Sequence, residues 1–442
     1  MDFDEKRLGT LHPIYTRFAQ STGVTTDSRR CPAGSMFIAL RGETFDGNAY
    51  AARALEAGCA CAVIDNPAYL PHGDSRYVLV GNCLQTLQQL ARHHRRTLRT
   101  PIVGITGTNG KTTTKELTAA VLSKRYCLHY TQGNLNNAIG VPLTLLGLRA
   151  EHRLAIVEMG ASHPGDIREL VEIAEPDYGL ITNVGRAHLQ GFGSFEGVVR
   201  TKGELFDYLR EKGGATVFVH DDSPYLKDLA HDLEQVRYGT APGLYVSGQA
   251  TGRSPFLALQ WQAEGDTEAH AVQTRLIGDY NLPNALAAIA VGRYFGVPDD
   301  AICQALAGYT PRNHRSQLVQ TANNTLIVDA YNANPTSMAA AIDNFARMEA
   351  GGKMLILGDM RELGPDSPAL HQEVVDRLEK YGFEDVVLVG NEFAATRRRY
   401  PCYADIDALI AALHEHRPTG RTILIKGSNG VHLDRAAEAL NR

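Results

Sequence analysis

The chain has 442 residues, of which 44% are hydrophobic and 21% are charged, and its formal net charge is −5 at pH 7. This length exceeds what one hydrophobic core usually serves, so we expect roughly two or three domains. The composition is that of a folded globular protein, and the acidic balance excludes the broad basic surface that general binding to nucleic acid or an anionic membrane requires.

The amino-terminal segment and the cysteines predict a cytoplasmic protein. The first residues, MDFDEKRLGTLHPIY, lack the basic and apolar parts of a secretory signal, and no apolar run reaches the ~20 residues of a membrane span. The seven cysteines form no C-x-x-C pair; they stand at positions 31, 59, 61, 83, 127, 303 and 402. Their odd number and spacing favour reduced thiols over disulfides or a zinc site.

The first block of the chain, residues 1–98, reads as a small α/β domain. Short apolar segments, SMFIAL, CAVID and YVLV, predict strands around the helical segment AYAARALEAG. The block closes with the polar helix LQTLQQLARHHRRTLRT. Its cluster His93–Arg96 is typical of a solvated helix end before a domain boundary rather than of a binding patch.

The second block, residues 99–310, alternates strands and helices. The continuous apolar segments PIVGIT, LAIVEM, YGLITNV and ATVFVH predict a mostly parallel sheet that is covered on both faces. Ligands bind at the carboxyl ends of strands in such sheets. Residues 240–276 alternate more strictly between apolar and polar and predict an antiparallel extension.

The third block, residues 311–442, repeats the strand and helix rhythm with TLIVDA, KMLILG, DVVLVG and TILIKG. It predicts a second, smaller Rossmann-like α/β domain. The fold class expected for the whole chain is therefore α/β with three domains.

The segment VGITGTNGKTTTKEL, residues 103–117, almost matches the phosphate-loop pattern G-x-x-x-x-G-K-[ST], which needs glycine where Ile105 stands. A strand over residues 102–106 and a helix from Thr112 place Gly107–Lys111 at a strand-to-helix turn. There, backbone N–H groups would approach phosphate oxygens, Lys111 would contact the outer phosphates, and the Thr112 hydroxyl would hold Mg²⁺. A glycine-rich turn with a surface lysine is the alternative.

Polar residues follow the neighbouring strands. Glu158 ends LAIVEM, and Asn183 and His188 follow the next strand, so the carboxylate and the imidazole are candidate metal ligands. A solvated carboxylate and a lone histidine remain the alternatives. The amide-rich segment GNLNNAIGVPLTLL suits orientation of a polar substrate, although asparagine also serves as a cap or turn residue; its asparagines are Asn134, Asn136 and Asn137.

With these residues in view, the sequence closely resembles the Mur ligases, ATP-dependent amide-forming enzymes of peptidoglycan precursor synthesis. GTNGKTTT is similar to that family's phosphate loop, whose earlier glycine is placed differently. TDSRRCPAGSMFIALRGETFDGNAYAARALEAGCACAVID resembles the family's UDP-sugar-binding domain. GDYNLPNALAA, VDAYNANPTSM, LGDMRELG and ILIKGS resemble the member that adds D-alanyl-D-alanine, and the combination of GNLNNAIGVPLTLL with DAYNANPTSM is highly specific.

The resemblance covers essentially the whole chain and implies three domains: a UDP-N-acetylmuramoyl-peptide-binding domain (1–98), a central ATP-binding domain (99–310) and a Rossmann-like domain (311–442). It implies ligation of D-alanyl-D-alanine to UDP-N-acetylmuramoyl-tripeptide through an acyl phosphate. ATP and Mg²⁺, with two ions expected, are the implied cofactors. We expect a monomer that binds no nucleic acid and does not insert into membranes.

The resemblance also assigns roles to individual positions. Lys111, Lys202 and His188 would be the catalytic residues, with Lys202 as a carbamylated lysine that supports Mg²⁺. The metal ligands would be Thr112, Glu158, His188 and Lys202. The nucleotide would be bound by Gly107, Thr108, Asn109, Gly110, Lys111, Thr112, Thr113, Asn281, Asn284, Arg315 and Asp329. The UDP end of the substrate would contact Thr26, Asp27, Ser28 and Arg29, and the peptide or dipeptide would contact Asn134, Asn136, Asn137, Asn332, Asn334 and Ser337.

The chain departs from the family pattern at two positions. Tyr280 stands where many members carry histidine, and Asn429 stands where arginine is frequent. From its residues alone, Lys202 reads as a lysine on the surface of a helix, and only the resemblance assigns it a role.

Three other functions remain open. The sibling ligase that adds the third peptide residue shares the TDSR domain and the phosphate loop, but its selectivity motif DNPR does not occur here. Folylpolyglutamate synthetase lacks the UDP-sugar-binding block. A nucleotide-binding scaffold without catalysis would not need Lys111, Glu158, His188 and Lys202 together.

Overall fold

The computed structural model describes residues 5–252, 255–311 and 316–441. The chain divides into two compact units, one of residues 1–104, 126–160 and 167–178, and one of residues 105–125, 161–166 and 179–442. Among the residues described, no helix combines the length and the apolar character that crossing a membrane requires.

The first unit begins with a four-stranded parallel sheet in the order β1-β2-β3-β4. Its core is formed by strands β2 and β3, in which every residue is buried. The elements are α1 (Glu5–Gln20), β1 (Val24–Thr25), β2 (Met36–Ile38), α2 (Ala51–Glu56), β3 (Cys61–Ile64), β4 (Tyr77–Leu79) and α3 (Cys83–Leu98). The predicted strands SMFIAL, CAVID and YVLV are thereby confirmed.

The carboxyl end of α3 corrects one prediction, because His94 and Arg95 are buried rather than solvated. Arg95 donates to the carbonyls of Ala174 (3.2 Å) and Glu175 (2.8 Å) and to Asp177 Oδ2 (2.8 Å). The charge pattern of α3 could not reveal these acceptors, since they lie about 80 residues further along the chain.

A nine-stranded sheet follows in the order β13-β12-β11-β10-β9-β8-β5-β7-β6, and the boundary between the two units passes through β5 and β8. The pairs β6–β7, β9–β10 and β10–β11 are parallel, and β11–β12 and β12–β13 are antiparallel, as predicted for residues 240–276. The short strand β6 and the partly exposed strand β10 were missed because neither has a continuous apolar run.

The elements of this part of the chain are the strands of this sheet, whose inner strands are almost entirely buried, and the helices between them. They are β5 (Ile102–Thr106), α4 (Lys111–Leu122), β6 (Leu128–Tyr130), α5 (Gly140–Leu146), β7 (Leu154–Glu158), α6 (Asp166–Ala174), β8 (Tyr178–Ile181), α7 (Leu189–Phe192), α8 (Phe195–Lys212), β9 (Thr216–His220), α9 (Pro224–Leu229), β10 (Glu234–Gly239), β11 (Val246–Gly252), β12 (Phe256–Ala263), β13 (His270–Ile277), α10 (Leu282–Tyr294) and α11 (Asp299–Gly308).

The last part of the second unit is a six-stranded sheet in the order β14-β15-β19-β16-β17-β18. All neighbouring pairs are parallel except β14–β15. Hydrophobic clusters cover both faces of this sheet, which confirms the Rossmann-like prediction. The elements are β14 (Gln317–Gln320), β15 (Asn324–Asp329), α12 (Pro335–Arg347), β16 (Lys353–Gly358), α13 (Ser367–Lys380), β17 (Val386–Val389), α14 (Asn391–Ala394), β18 (Cys402–Tyr403), α15 (Ile406–Glu415), β19 (Arg421–Lys426) and α16 (Asp434–Asn441).

Candidate active site

The predicted phosphate loop lies between the buried strand β5 and the first turn of α4. Gly107 and Gly110 have φ angles of 140° and 77°, which glycine adopts without strain. A Cβ at Gly110 would lie 2.5 Å from Asn284 Oδ1, and one at Gly107 would overlap the Thr182 hydroxyl. The glycines therefore permit close packing at a strand-to-helix turn, where N–H groups and a helix N-terminus can bind phosphate.

Two polar residues that follow β8 hold this loop in place. Asn183 accepts a hydrogen bond from the Asn109 N–H (3.0 Å) and donates to the Asn109 carbonyl (2.9 Å). The Thr182 hydroxyl donates to the same carbonyl at 2.7 Å, and the Thr108 N–H donates to the Asn183 carbonyl at 2.9 Å. The loop is thus organised by the protein itself, which lowers the cost of binding a charged ligand.

Lys111 and Thr112 lie at the start of α4. The Lys111 ammonium donates to the carbonyls of Gly107 (2.7 Å) and Thr108 (3.0 Å), so it lies directly over the loop. Phosphate oxygens would offer it stronger, charged acceptors. Thr112 is buried and Thr113 is half-buried in the same turn.

Lys202, on α8, corrects the reading of this residue as a surface lysine, because it is only 2% exposed. Its ammonium nitrogen lies 3.4 Å from the Ala161 carbonyl and 5.4 Å from the centre of the Phe192 ring. Burial lowers the pKa of Lys202 well below its ordinary value, and the charge of Lys111 lowers it further. Lys202 is therefore held in a setting that favours the neutral amine.

His188 immediately precedes α7 and has a φ of 49°, and its ring meets the Phe192 ring edge-on. Its Nδ1 is hydrogen-bonded to a carboxylate oxygen of Glu362. Burial lowers the pKa of His188, the Glu362 carboxylate acts in the opposite direction, and the charges of Lys111 and Lys202 lower it further. The three candidate catalytic side chains, Lys111, His188 and Lys202, therefore share one electrostatic neighbourhood in the second unit.

Glu158 and the three asparagines belong to the first unit. Glu158, at the end of β7, is 1% exposed, and its Oε1 accepts a hydrogen bond from Asn136 Nδ2 at 2.8 Å. Asn137 accepts from the N–H groups of Ile139 and Gly140, so it acts as the turn residue that the alternative reading described. Asn136 instead orients the carboxylate.

Asn281 and Asn284, predicted near the adenine, are both buried at the start of α10. Asn284 donates to Asn281 Oδ1 at 2.9 Å and accepts from the Thr114 hydroxyl at 3.1 Å. The hydrogen bond between Thr114 and Asn284 links α4 to α10 immediately behind Gly110. Their contacts with a nucleotide stay a prediction.

Asp329 ends β15 and pairs with the buried Lys426 of β19, with 2.6 Å between Nζ and Oδ2. The Lys426 ammonium also donates to the Asn332 carbonyl at 3.2 Å. The Tyr280 hydroxyl lies 2.9 Å from the Ser316 hydroxyl. Arg315, predicted to contact phosphate, lies outside the described residues.

Asn334 and Ser337 form a capping box at the start of α12, since each side chain bonds the backbone of the other. Asn334 Nδ2 also donates to Asn109 Oδ1 of the phosphate loop at 2.8 Å. Asn334 therefore connects α12 to the loop, and its predicted contact with the dipeptide stays untested.

The TDSR segment of the first unit forms a partly exposed loop. Arg29 donates to both carboxylate oxygens of Asp27, at 2.9 and 3.0 Å, and its N–H caps the same group. These hydrogen bonds from Arg29 lower the pKa of Asp27 to about 2. Thr26 and Ser28 flank this pair, and a substrate role for the segment stays a prediction.

Among the residues predicted to bind Mg²⁺, Glu158 of the first unit offers a carboxylate, whereas Thr112 and His188 of the second unit offer a hydroxyl and an imidazole. A buried carboxylate is normally paired with donors or a cation, and Glu158 is almost fully buried. This chemistry fits a divalent cation. Lys202 fits the set only after its amine has become an anion, because an ammonium group has no lone pair to offer.

Several residues of the site were not assigned from the sequence. Thr182, Thr114 and Glu362 contact the phosphate loop, Asn284 and His188, respectively. The polar pair that follows a buried strand in ITNV was a usable indication for Thr182. No local pattern connects Glu362 to His188, because 174 positions separate them.

Comparison with known protein families finds matches along most of the chain. Residues 20–95 match the Mur ligase family catalytic domain, residues 105–292 the Mur ligase middle domain, and residues 314–429 the Mur ligase glutamate ligase domain. These three regions leave little of the sequence unmatched.

Relatives and solved structures extend the similarity to nearly full length. The chain is 36% identical to UDP-N-acetylmuramoyl-tripeptide--D-alanyl-D-alanine ligase of Bacillus subtilis, covering 95% of this chain and 93% of that one. It is 35% identical to the Escherichia coli protein of the same name, covering 94% and 93%. The structure of the MurF ligase of Thermotoga maritima in complex with ADP has a TM-score of 0.84 at 26% identity and covers 96% of this chain and 98% of that one.

Proposed function

The chain belongs to the Mur ligase family, and on this basis we propose that it uses ATP to join D-alanyl-D-alanine to UDP-N-acetylmuramoyl-tripeptide. The observation that carries the proposal is 36% identity to a ligase of that name over 95% of the chain. The product would be the pentapeptide precursor of peptidoglycan.

The chemical difficulty is that a carboxylate does not react with an amine at neutral pH. We propose that the terminal carboxylate of the tripeptide attacks the γ-phosphate of ATP and forms an acyl phosphate with release of ADP. The dipeptide amine then adds to the acyl carbon, and the tetrahedral intermediate expels phosphate. Lys111, held over the loop carbonyls, would neutralise the phosphate charge that develops in the first step.

Mg²⁺, with two ions expected, would supply charge neutralisation on the phosphate oxygens. Thr112, Glu158 and His188 are the residues that would hold it. Asn136, through its hydrogen bond to Glu158, would keep that carboxylate oriented.

Lys202 would act as a carbamate. Its low exposure and lowered pKa favour the neutral amine, whose nitrogen can attack CO₂ to form a C–N bond and release a proton. The resulting oxygen-rich anion would support Mg²⁺, whereas the unmodified ammonium would repel it.

The remaining assignments divide between nucleotide and substrate. Asn281, Asn284, Asp329 and Arg315 would contact the adenosine and phosphate groups. Thr26, Asp27, Ser28 and Arg29 would bind the UDP end. Asn134, Asn136, Asn137, Asn332, Asn334 and Ser337 would lie along the peptide and dipeptide. We propose that the enzyme acts as a monomer in the cytoplasm, where ATP and UDP-linked precursors occur.

The sibling ligase that adds the third peptide residue is the alternative that an assay of amine specificity distinguishes. The test is to incubate the protein with UDP-N-acetylmuramoyl-tripeptide, ATP and a panel of amines, and to weigh the product. We expect a mass increase only with D-alanyl-D-alanine. Absence of both ATP hydrolysis and ligated product would favour a scaffold. In a parallel incubation with UDP-N-acetylmuramoyl-dipeptide, growth of that substrate by one amino acid would favour the sibling.

A further inference from the structure

Glu362 lies in the loop that follows β16 and reaches His188, a residue that belongs to the proposed metal site. Its carboxylate is hydrogen-bonded to His188 Nδ1. A backbone contact lies two residues further along the chain, since the Gln190 N–H donates to the Glu362 carbonyl at 3.3 Å. Gly364 of the same loop also lies against Gln190, since a Cβ built on Gly364 would be 3.4 Å from the Gln190 side chain.

The loop that carries Glu362 is anchored to α13 and to the segment that follows β19. The Met360 N–H donates to Nε2 of the buried His371 at 3.0 Å. The Arg361 N–H donates to the Ser428 hydroxyl at 3.0 Å. Glu362 itself has a φ of 63°, which a residue with a side chain rarely adopts unless its surroundings enforce it. The carboxylate is therefore presented from a fixed base.

The ring of His188 is held on two sides. Glu362 bonds Nδ1, and the Phe192 ring lies edge-on at a centroid distance of 6.2 Å. A carboxylate accepts hydrogen bonds and does not donate them, so the contact selects the tautomer with hydrogen on Nδ1. That tautomer leaves the lone pair on Nε2.

We propose that Glu362 is a positioning residue, which fixes the orientation and tautomer of His188 so that Nε2 can bind a divalent cation. The inference rests on the proposed function, because it uses His188 as a metal ligand. Outer carboxylates of this kind orient metal-binding histidines in other proteins, and their loss commonly weakens metal affinity or activity by 10- to 100-fold. The contact between Glu362 and His188 also makes the proposed metal site depend on the loop that follows β16.

The first measurement needs neither metal nor substrate. In protein labelled with ¹⁵N-histidine, long-range proton–nitrogen correlation reports the tautomer of each ring, and the His188 signal is assigned by its loss in His188→Gln. We expect the Nδ1–H tautomer in the wild type and a shift towards Nε2–H in Glu362→Ala. Glu362→Gln keeps an acceptor oxygen and should retain most of the wild-type tautomer.

The second measurement is the binding of Mn²⁺, followed by electron paramagnetic resonance without substrate. We expect Glu362→Ala to weaken binding by about 10-fold or more and Glu362→Gln to weaken it less. Glu373→Ala, on the exposed face of α13, is the matched control and should bind as the wild type does. Unchanged tautomer and unchanged Mn²⁺ affinity in Glu362→Ala would overturn the inference.

The outcome separates this inference from the proposed function. If the wild type ligates D-alanyl-D-alanine and Glu362→Ala keeps the wild-type tautomer of His188, only the positioning role is refuted. A wild type that fails to ligate any amine refutes the proposed function, whereas the tautomer measurement still tests the contact. Circular dichroism of both Glu362 variants identifies any loss of folding.

Discussion

At the scale of single residues, the two lysines of the site differ in their environment. Lys111 donates hydrogen bonds to loop carbonyls, as an ammonium group does. Lys202 is buried beside Phe192, where burial lowers its pKa well below the ordinary value. The same side chain can therefore serve as a phosphate-binding cation at one position and as a reactive amine at the other.

We predict that Lys111→Ala lowers the rate of ligation at least about 100-fold and leaves the fold intact. The loss corresponds to ~3 kcal/mol of transition-state stabilisation, because a preorganised positive charge on the phosphate is removed. Steady-state kinetics measures the effect, and Lys124→Ala, exposed just beyond the end of α4, is the control. Near-normal turnover of Lys111→Ala would refute the assignment of the phosphate loop.

We predict that Lys202→Ala and Lys202→Arg are both folded and nearly inactive, since neither side chain can form a carbamate. Short carboxylic acids at high concentration should partly restore the alanine variant, because a small carboxylate can occupy the position of the missing anion. The arginine variant should resist this rescue, since its side chain fills the space. An active Lys202→Arg enzyme would show that the position needs only a cation.

At the scale of secondary-structure elements, three arginines of α3 hold the turn that follows α6. Arg95 donates to main-chain carbonyls and to Asp177, while Arg92 and Arg96 pair with the Glu175 carboxylate. Glu175 has a φ of 47°, so the turn is strained. The arginines donate hydrogen bonds to the carbonyls at the end of α6 and to the side chain of the strained residue Glu175.

Arg95→Ala should destabilise the protein by ~3 kcal/mol, because it leaves buried carbonyls and Asp177 without this donor. Arg92→Ala removes a half-exposed arginine from the same helix, and Glu175 keeps its ion pair with Arg96, so this variant should cost less than ~1 kcal/mol. Urea unfolding followed by circular dichroism compares the two midpoints. Equal midpoints for the two variants would argue against the buried role of Arg95.

The stability contributed by Glu175 should depend on pH. Burial raises the pKa of this carboxyl, but Arg96 and Arg92 outweigh burial and hold the pKa below its ordinary value of 4.5. A lowered folded-state pKa gives stability that is present above pH 4.5 and lost as pH falls through the folded-state value. Glu175→Gln should therefore unfold at lower urea than the wild type near neutral pH, and the difference should shrink below pH 4.5; a difference independent of pH would contradict this.

At the scale of the whole molecule, the second unit brings the six-stranded sheet to the phosphate loop. Asn334, which caps α12, bonds Asn109 of that loop, and Glu362 bonds His188. These contacts join residues 225 and 174 positions apart in the chain. The candidate site therefore combines residues from distant parts of the sequence.

Because we assign ATP contacts to both the central block and the third block, we predict that ligand binding draws these two blocks together. Small-angle scattering of the protein with a nonhydrolysable ATP analogue and UDP-tripeptide should differ from that of the free protein. The analogue alone is the control for the contribution of the nucleotide. Superimposable profiles for free and fully liganded protein would contradict ligand-driven closure.

Much of the fold follows from local patterns in the sequence. Continuous apolar runs predicted the inner strands of all three sheets, because strands buried on both faces must be apolar throughout. The glycine spacing of GTNGKTTT between β5 and α4 likewise predicted the phosphate loop, since the backbone geometry of such a turn needs glycine locally. The short strand β6 escaped prediction because three half-buried residues carry no period.

The sequence by itself thus determined the α/β class, the loop, and, through its resemblance to a family, the ligase function. Only the tertiary structure decided that Lys202 is buried, that Arg95 bonds main-chain carbonyls, and that Glu362 holds His188. The physical reason is that local sequence controls backbone conformation and the period of burial. The pKa and hydrogen-bond partners of a polar side chain depend instead on groups that folding brings from distant positions.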